Sequence, residues 1–335
     1  MKLWQKVLVP ALFVGVATVA IPGRAEAQAS IKIDGSSTVF PIAEAFAEEF
    51  QIQKRGKVRV TVGVSGTGGG FKKFCRGEID IANASRPISV EEMEVCRKAG
   101  IKYMELPVAF DAITVVVNPA NKWIKNNTLT IADLKKMWEP AAQGRISNWK
   151  QVRAEWPAER LMLFGPGADS GTFDYFTEAV MGKAKASRGD FTASEDDNTL
   201  VQGVENNKSA LGYFGFAYYA AHKDKMTAVK IDGGKGPVEP SIESVINGKY
   251  APLSRPLFIY VKESSAARPE VREFVQFMMT QGGELVGEVG FVPLPQKAYD
   301  LAWKHFNAKK LGTVFGGHAK VGITIDELLA LEAKL

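Results

Sequence analysis

Apolar and polar positions along the chain alternate between two periods. Ile31 to Ile33, Val58 to Val64 and Leu161 to Phe164 are short β-type runs. Each gives way to a hydroxyl- and glycine-rich turn and then to helical spacing. Asp34-Gly35-Ser36-Ser37-Thr38-Val39-Phe40 leads into a helix opened by Pro41, with Ile42, Phe46 and Phe50 on one face. Ser65-Gly66-Thr67-Gly68-Gly69-Gly70 precedes a helix expected from Phe71. Ala168-Asp169-Ser170-Gly171-Thr172 runs into a helix carrying Phe173, Phe176 and Val180. The first N–H groups of a helix have no internal partner and its N-terminus is partly positive, so three such turns predict three helix starts aimed at one small anion.

Two longer β-type runs, Pro107 to Pro119 and Pro256 to Val261, predict strands shared between lobes. The region between them carries its own elements: helices over Thr130–Trp138 and near Asn198 to Val204, and a strand over Gly212–Phe216. Helices are expected after it at Pro269–Thr280 and Gln296–Phe306. The expected domains are therefore 28–117 and 255–335 as two parts of lobe I, with 118–254 inserted as lobe II.

Residues 1–27 read as a cleaved leader: Lys2 and Lys6, an apolar run from Val7 to Ile21, then Ala25-Glu26-Ala27. The run is short for a membrane span, so an exported, soluble product of 308 residues is expected. Setting aside Lys2, Lys6, Arg24 and Glu26, a net +2, lowers the formal charge from +5 to +3. That mild excess, with no basic tract interleaved with aromatics, gives no reason to expect nucleic acid. In an oxidising compartment the two cysteines, Cys75 and Cys96, are a candidate disulfide. Ser89 and Glu92 form a capping box that opens the helix bearing Cys96.

Arg86, just past the apolar run Ile79–Ala82, falls where an open α/β sheet places ligand groups, and its planar fork suits a tetrahedral oxyanion. A hydrolase using Ser170 or Ser65 is a competing reading. Its base would have to come from His222, His305 or His318, and the serine falls one place late for G-x-S-x-G. No His/Cys cluster has metal-ligand spacing, and Asp196-Asp197 reads as a helix start.

Taken together, Asp34–Val39, Ser65–Gly70, Ser85-Arg86-Pro87-Ile88, Gly144-Arg145-Ile146-Ser147-Asn148-Trp149 and Asp169–Thr172, in register over the whole mature chain, resemble the periplasmic phosphate-binding proteins of phosphate ABC transporters. The resemblance implies an α/β, two-lobed type II periplasmic-binding fold, each lobe a mixed sheet flanked by helices, with two hinge crossings. It implies a periplasmic, non-enzymatic carrier that binds inorganic phosphate in the interlobe cleft and delivers it to a membrane-embedded ABC permease, as a monomer without cofactor. It places phosphate against Ser37, Thr38, Val39, Ser65 and Thr67 of the first lobe and Ser170, Gly171 and Thr172 of the second. In the best-known branch an aspartate stands in the segment matching Ser85-Arg86 and an arginine shortly before Ser-Gly-Thr. Here those charges look exchanged, as Arg86 and Asp169. Asp169, with Asp34 as fallback, is the expected acceptor for the phosphate proton, because a carboxylate accepts from P–OH and repels sulfate. Carriers of phosphonate, arsenate, sulfate or molybdate are the alternatives.

Overall fold

A computed structural model describes residues 28–335; the expected leader, residues 1–27, lies outside the described residues. The organising element is the strand Tyr103–Val117, buried along its whole length. Its first part, Tyr103–Ala112, pairs antiparallel with Ser254–Lys262, and its last part, Ile113–Val117, pairs antiparallel with Ala210–Gly215. One strand thus belongs to two sheets. A run buried on both faces has to be apolar almost throughout.

In the first lobe, Ala29–Gly35 runs parallel to both Val58–Val64 and Ile81–Ala84, and Ser254–Lys262 lies antiparallel beside Ile81–Ala84. In the second, Met162–Pro166 is parallel to Ala210–Gly215 and to Thr192–Ser194. Both sheets are mixed and flanked by helices, as expected. The chain crosses between lobes within the long strand near Ala112–Ile113 and again at Leu253–Ser254, where Ile113 N donates to Leu253 O at 2.8 Å. Two crossings side by side leave the lobes free to rock about a common edge.

The capping boxes at Ser89/Glu92 and Thr130/Asp133 form, and Cys75 and Cys96 are disulfide-bonded. Two helices run longer than the composition predicts. The second begins at Gly66, so Thr67 and the glycines lie inside its first turns instead of in a loop before it. Bulk is excluded there: a Cβ on Gly70 would sit 2.6 Å from Gly35 Cα. The helix Pro269–Glu288 passes through Gly282, where a Cβ would meet the Tyr299 ring at 2.6 Å.

Candidate anion-binding site

The three hydroxyl turns converge between the lobes. Thr38 precedes the helix Phe40–Gln53, Thr67 lies in the first turn of Gly66–Cys75, and Thr172 in that of Gly171–Met181. All three threonines are fully buried. Thr38 Oγ1 lies 3.0 Å from Thr172 Oγ1 across the cleft, and Thr67 Oγ1 lies 3.2 Å from Ser85 Oγ. Gly171 brings the second lobe's helix against these groups: a Cβ there would sit 2.5 Å from Thr67 Oγ1 and 2.7 Å from Ser85 Oγ. Gly68 N donates to Asp169 O at 2.8 Å, so backbone joins backbone across the same seam.

At the centre stands Arg255, with no exposed surface. Its Nη2 donates to Thr172 Oγ1 at 2.8 Å and Thr38 Oγ1 at 3.3 Å, and its Nη1 to Ser85 O at 3.0 Å. The equally buried Asp111 accepts from Nη2 at 3.0 Å and from Nε at 3.3 Å, and holds Phe216 N at 3.1 Å. A buried charge without a counter-charge is prohibitive, so Asp111 balances Arg255, and the guanidinium with its surrounding hydroxyls and amide dipoles can meet a ligand without surplus positive charge. Sequence reading missed both residues. The available signal was a single charge at each long apolar run: Asp111 inside Pro107–Pro119, and Arg255 immediately before Pro256–Val261.

The other expected residues lie at varying distance from this centre. Ser37 and Val39 are buried in the first turn, where Tyr218 Oη donates to Ser37 O at 3.0 Å. Ser65 Oγ donates to Asp34 Oδ1, and Lys73 pairs with Asp34 at 2.7 Å, so these groups brace the strand–turn junction. Ser170 caps its helix, accepting from Thr172 N at 3.1 Å. Neither Ser65 nor Ser170 is hydrogen-bonded to a histidine; His222 Nδ1 is instead 2.7 Å from Glu205. Asp169 sits at the rim, its partly exposed carboxylate held by Lys72 at 2.7 and 2.9 Å.

Arg86 is buried, and four of its five N–H donors are engaged within the protein. Glu92 takes a two-pronged contact at 2.8 Å on each side, Asp174 of the second lobe accepts from Nε at 2.7 Å, and Pro87 O accepts at 2.9 Å. Burial works against its charge, yet Glu92 and then Asp174 hold the guanidinium more firmly protonated than usual. Burial also raises the Asp174 carboxyl, against the pull of Arg86. Arg86 thus ties helix Val90–Lys98 of one lobe to helix Gly171–Met181 of the other.

A profile of the PBP superfamily domain matches residues 21–281. The chain belongs to the PBP superfamily. It is 53% identical to Protein SphX of Synechococcus elongatus over 328 residues, covering 97% of this chain and 96% of that one. It is 40% identical over 272 residues to the phosphate-binding protein PstS of Staphylococcus haemolyticus, covering 80% and 82% of the two chains. Among solved structures, a putative phosphate ABC transporter substrate-binding protein from Clostridium perfringens with bound phosphate shares 28% identity. It covers 79% of this chain and all of that one, at a TM-score of 0.66. Within the superfamily the fold is the two-lobed type II arrangement expected from the sequence.

Proposed function

We propose that this protein binds inorganic phosphate between its lobes and passes it to an ABC-type membrane permease. The observation that carries the reading is the convergence of Thr38, Thr67 and Thr172, at three helix N-termini, with Ser85 bridging Thr67 to the buried Arg255 that Thr38 and Thr172 contact. A tetrahedral oxyanion needs many donors spread over its faces, and hydroxyls, helix-start amides and one guanidinium meet that need without surplus positive charge. Arg255 is the central cation, in place of Arg86, whose donors serve the two lobes' own carboxylates. The names of the curated relatives and of the phosphate-bound structure support the same ligand.

Because Thr38 and Thr67 lie on one lobe and Gly171 and Thr172 on the other, an anion satisfied by both favours the shut arrangement. Release to a permease then requires the lobes to part. The carrier acts without turnover, as an exported monomer freed of residues 1–27, with the inserted lobe spanning about 118–254. Calorimetric titration of the purified protein with phosphate, sulfate and arsenate tests the reading. Saturable one-to-one phosphate binding well above that of sulfate is expected; heat of binding from sulfate alone would overturn it.

A further inference from the structure

The last part of the chain makes a connection between the lobes that stands apart from the anion site. Segment 312–324 starts on the first lobe, where Gly312 N donates to Tyr103 O at 2.9 Å and Val314 N to Glu105 Oε1 at 3.1 Å. The Phe315 ring meets the Phe258 ring edge-on, with centroids 5.4 Å apart. Gly317 then passes the start of helix Val90–Lys98 so closely that a Cβ on it would sit 2.9 Å from Val90 N. At the far end Gly322 N donates to Tyr175 Oη at 2.8 Å, and Tyr175 belongs to the second lobe's helix Gly171–Met181.

Tyr175 is 1% exposed and its hydroxyl is used twice. It accepts from Gly322 N and donates to Ser254 O at 2.7 Å, at the second hinge crossing. The Arg255 guanidinium lies over its ring, with Cζ 5.8 Å from the centroid, and a cation is attracted to an aromatic face. One side chain, a helical turn beyond Thr172, thus joins the C-terminal segment, the hinge and the central cation. Between its ends the segment stands off the second lobe: a groove of about 770 Å³ is lined by Gly317, His318 and Ala319 together with Glu178, Gly182 and Lys183. Among the described residues the Gly322–Tyr175 bond is the one hydrogen bond between the segment and helix Gly171–Met181.

A segment anchored on one lobe and bonded to the other keeps both attachments only at the present separation, with Thr38 Oγ1 3.0 Å from Thr172 Oγ1. Parting the lobes carries Tyr175 away with Thr172. Resting on the phosphate reading, we propose that segment 312–324 is a brace favouring the shut state, and that Tyr175 is the positioning residue through which it raises phosphate affinity. A contact made in the shut state and lost in the open one shifts the equilibrium toward the state that binds, and tightens binding accordingly. Linkage runs both ways, so phosphate strengthens the brace in turn.

Hydrogen exchange and calorimetry on the purified protein, with inorganic phosphate as the probe, test this. In the wild type, amide exchange across 318–324 should slow at least about fivefold on saturation with phosphate. Tyr175→Phe keeps a ring under Arg255 and loses both hydrogen bonds. It should weaken phosphate binding about tenfold and abolish the phosphate-dependent protection of 318–324. A tyrosine that only supported the fold would lower Tm and leave both readouts unmoved. The proposal is overturned if wild-type exchange across 318–324 is the same with and without phosphate, a result that does not depend on the variant folding. It is equally overturned if Tyr175→Phe binds phosphate as tightly as the wild type. Those results leave phosphate binding itself standing, whereas a wild type that gives no heat with phosphate removes both readings.

Discussion

At the scale of single residues, two arginines in neighbouring positions have different work. Arg255 has its Nη2 on one hydroxyl from each lobe, Thr38 and Thr172, and is buried with Asp111. Arg86 spends its fork on Glu92 and its Nε on Asp174. Replacing Arg255 by lysine keeps a charge for Asp111 but leaves a point donor where a planar fork reached Thr38, Thr172 and the Ser85 carbonyl. Arg255→Lys is expected to weaken phosphate binding by about a hundredfold, in line with the ~2–3 kcal/mol of lost charge-assisted hydrogen bonds, while the protein stays folded. Arg86→Ala removes no hydrogen bond to Thr38, Thr67, Ser85 or Thr172 but frees two acidic groups, Glu92 and Asp174, across the interlobe seam. Calorimetry should show a smaller loss, and melting should show a lower Tm, for Arg86→Ala than its charge alone suggests. An Arg255→Lys affinity equal to wild type would take Arg255 out of the site. Both arginines stand in the sequence as single basic residues beside β-type runs; Arg86 drew the expectation because it falls at the same sheet edge as the Gly-rich turn Ser65–Gly70. Arg255 was not, because its partners Thr38, Asp111 and Thr172 are 217, 144 and 83 positions away.

At the scale of elements, the site depends on how closely the helix Gly171–Met181 approaches the first lobe. Three strand–turn–helix units were readable from their local pattern, since apolar runs, hydroxyl turns and helical spacing are written in contiguous residues. Their ends were not. The helix starting at Gly66 and the one continuing through Gly282 contradict glycine's usual role as a breaker. In both places a neighbour occupies the space a side chain would fill, Gly35 in one and Tyr299 in the other. Gly171 works in the same way across the cleft. In Gly171→Ala the added methyl would collide with the Thr67 and Ser85 hydroxyls only when the lobes are shut. The substitution should therefore leave the unliganded Tm nearly unchanged, since alanine suits a helix start, yet weaken phosphate binding at least about tenfold. Small-angle scattering with and without phosphate checks the cause: the wild type should contract on binding and the variant should not. A variant that contracts normally would show that the seam tolerates the methyl.

For the whole molecule, the buried carboxyls outside the cleft set its response to pH. Glu105 accepts from Tyr260 Oη and from Val314 N at 3.1 Å, yet burial raises it to about 7. Glu332 of the last helix, Ile325–Glu332, is raised to about 8 by burial and then by Glu105. His305 Nδ1 stands 3.4 Å from it, but burial lowers that imidazole, so the two face each other neutral near pH 7. Carboxyls whose folded pKa lies above the unfolded value near 4.3 contribute stability that is present below about pH 4. That contribution is lost as pH rises through about 7 and 8. Glu332→Gln keeps the shape and never ionises, so its Tm relative to wild type should climb by a few degrees between about pH 5 and about pH 8. Melting curves that run parallel across that range would assign Glu332 no part in the pH response.

The sequence by itself determined the mixed α/β elements, the order of the hydroxyl turns, the disulfide partners and the family, because each is carried by local pattern or by motifs in register. Only the tertiary structure decided which charges face the cleft. Burial and pairing depend on which strands lie side by side. The long strand Tyr103–Val117 brings Asp111 against Arg255, while Arg86 and Asp169 are drawn to Glu92, Asp174 and Lys72. A charge's role follows from its counter-charge and its access to water, and neither is written in the residues beside it in the chain.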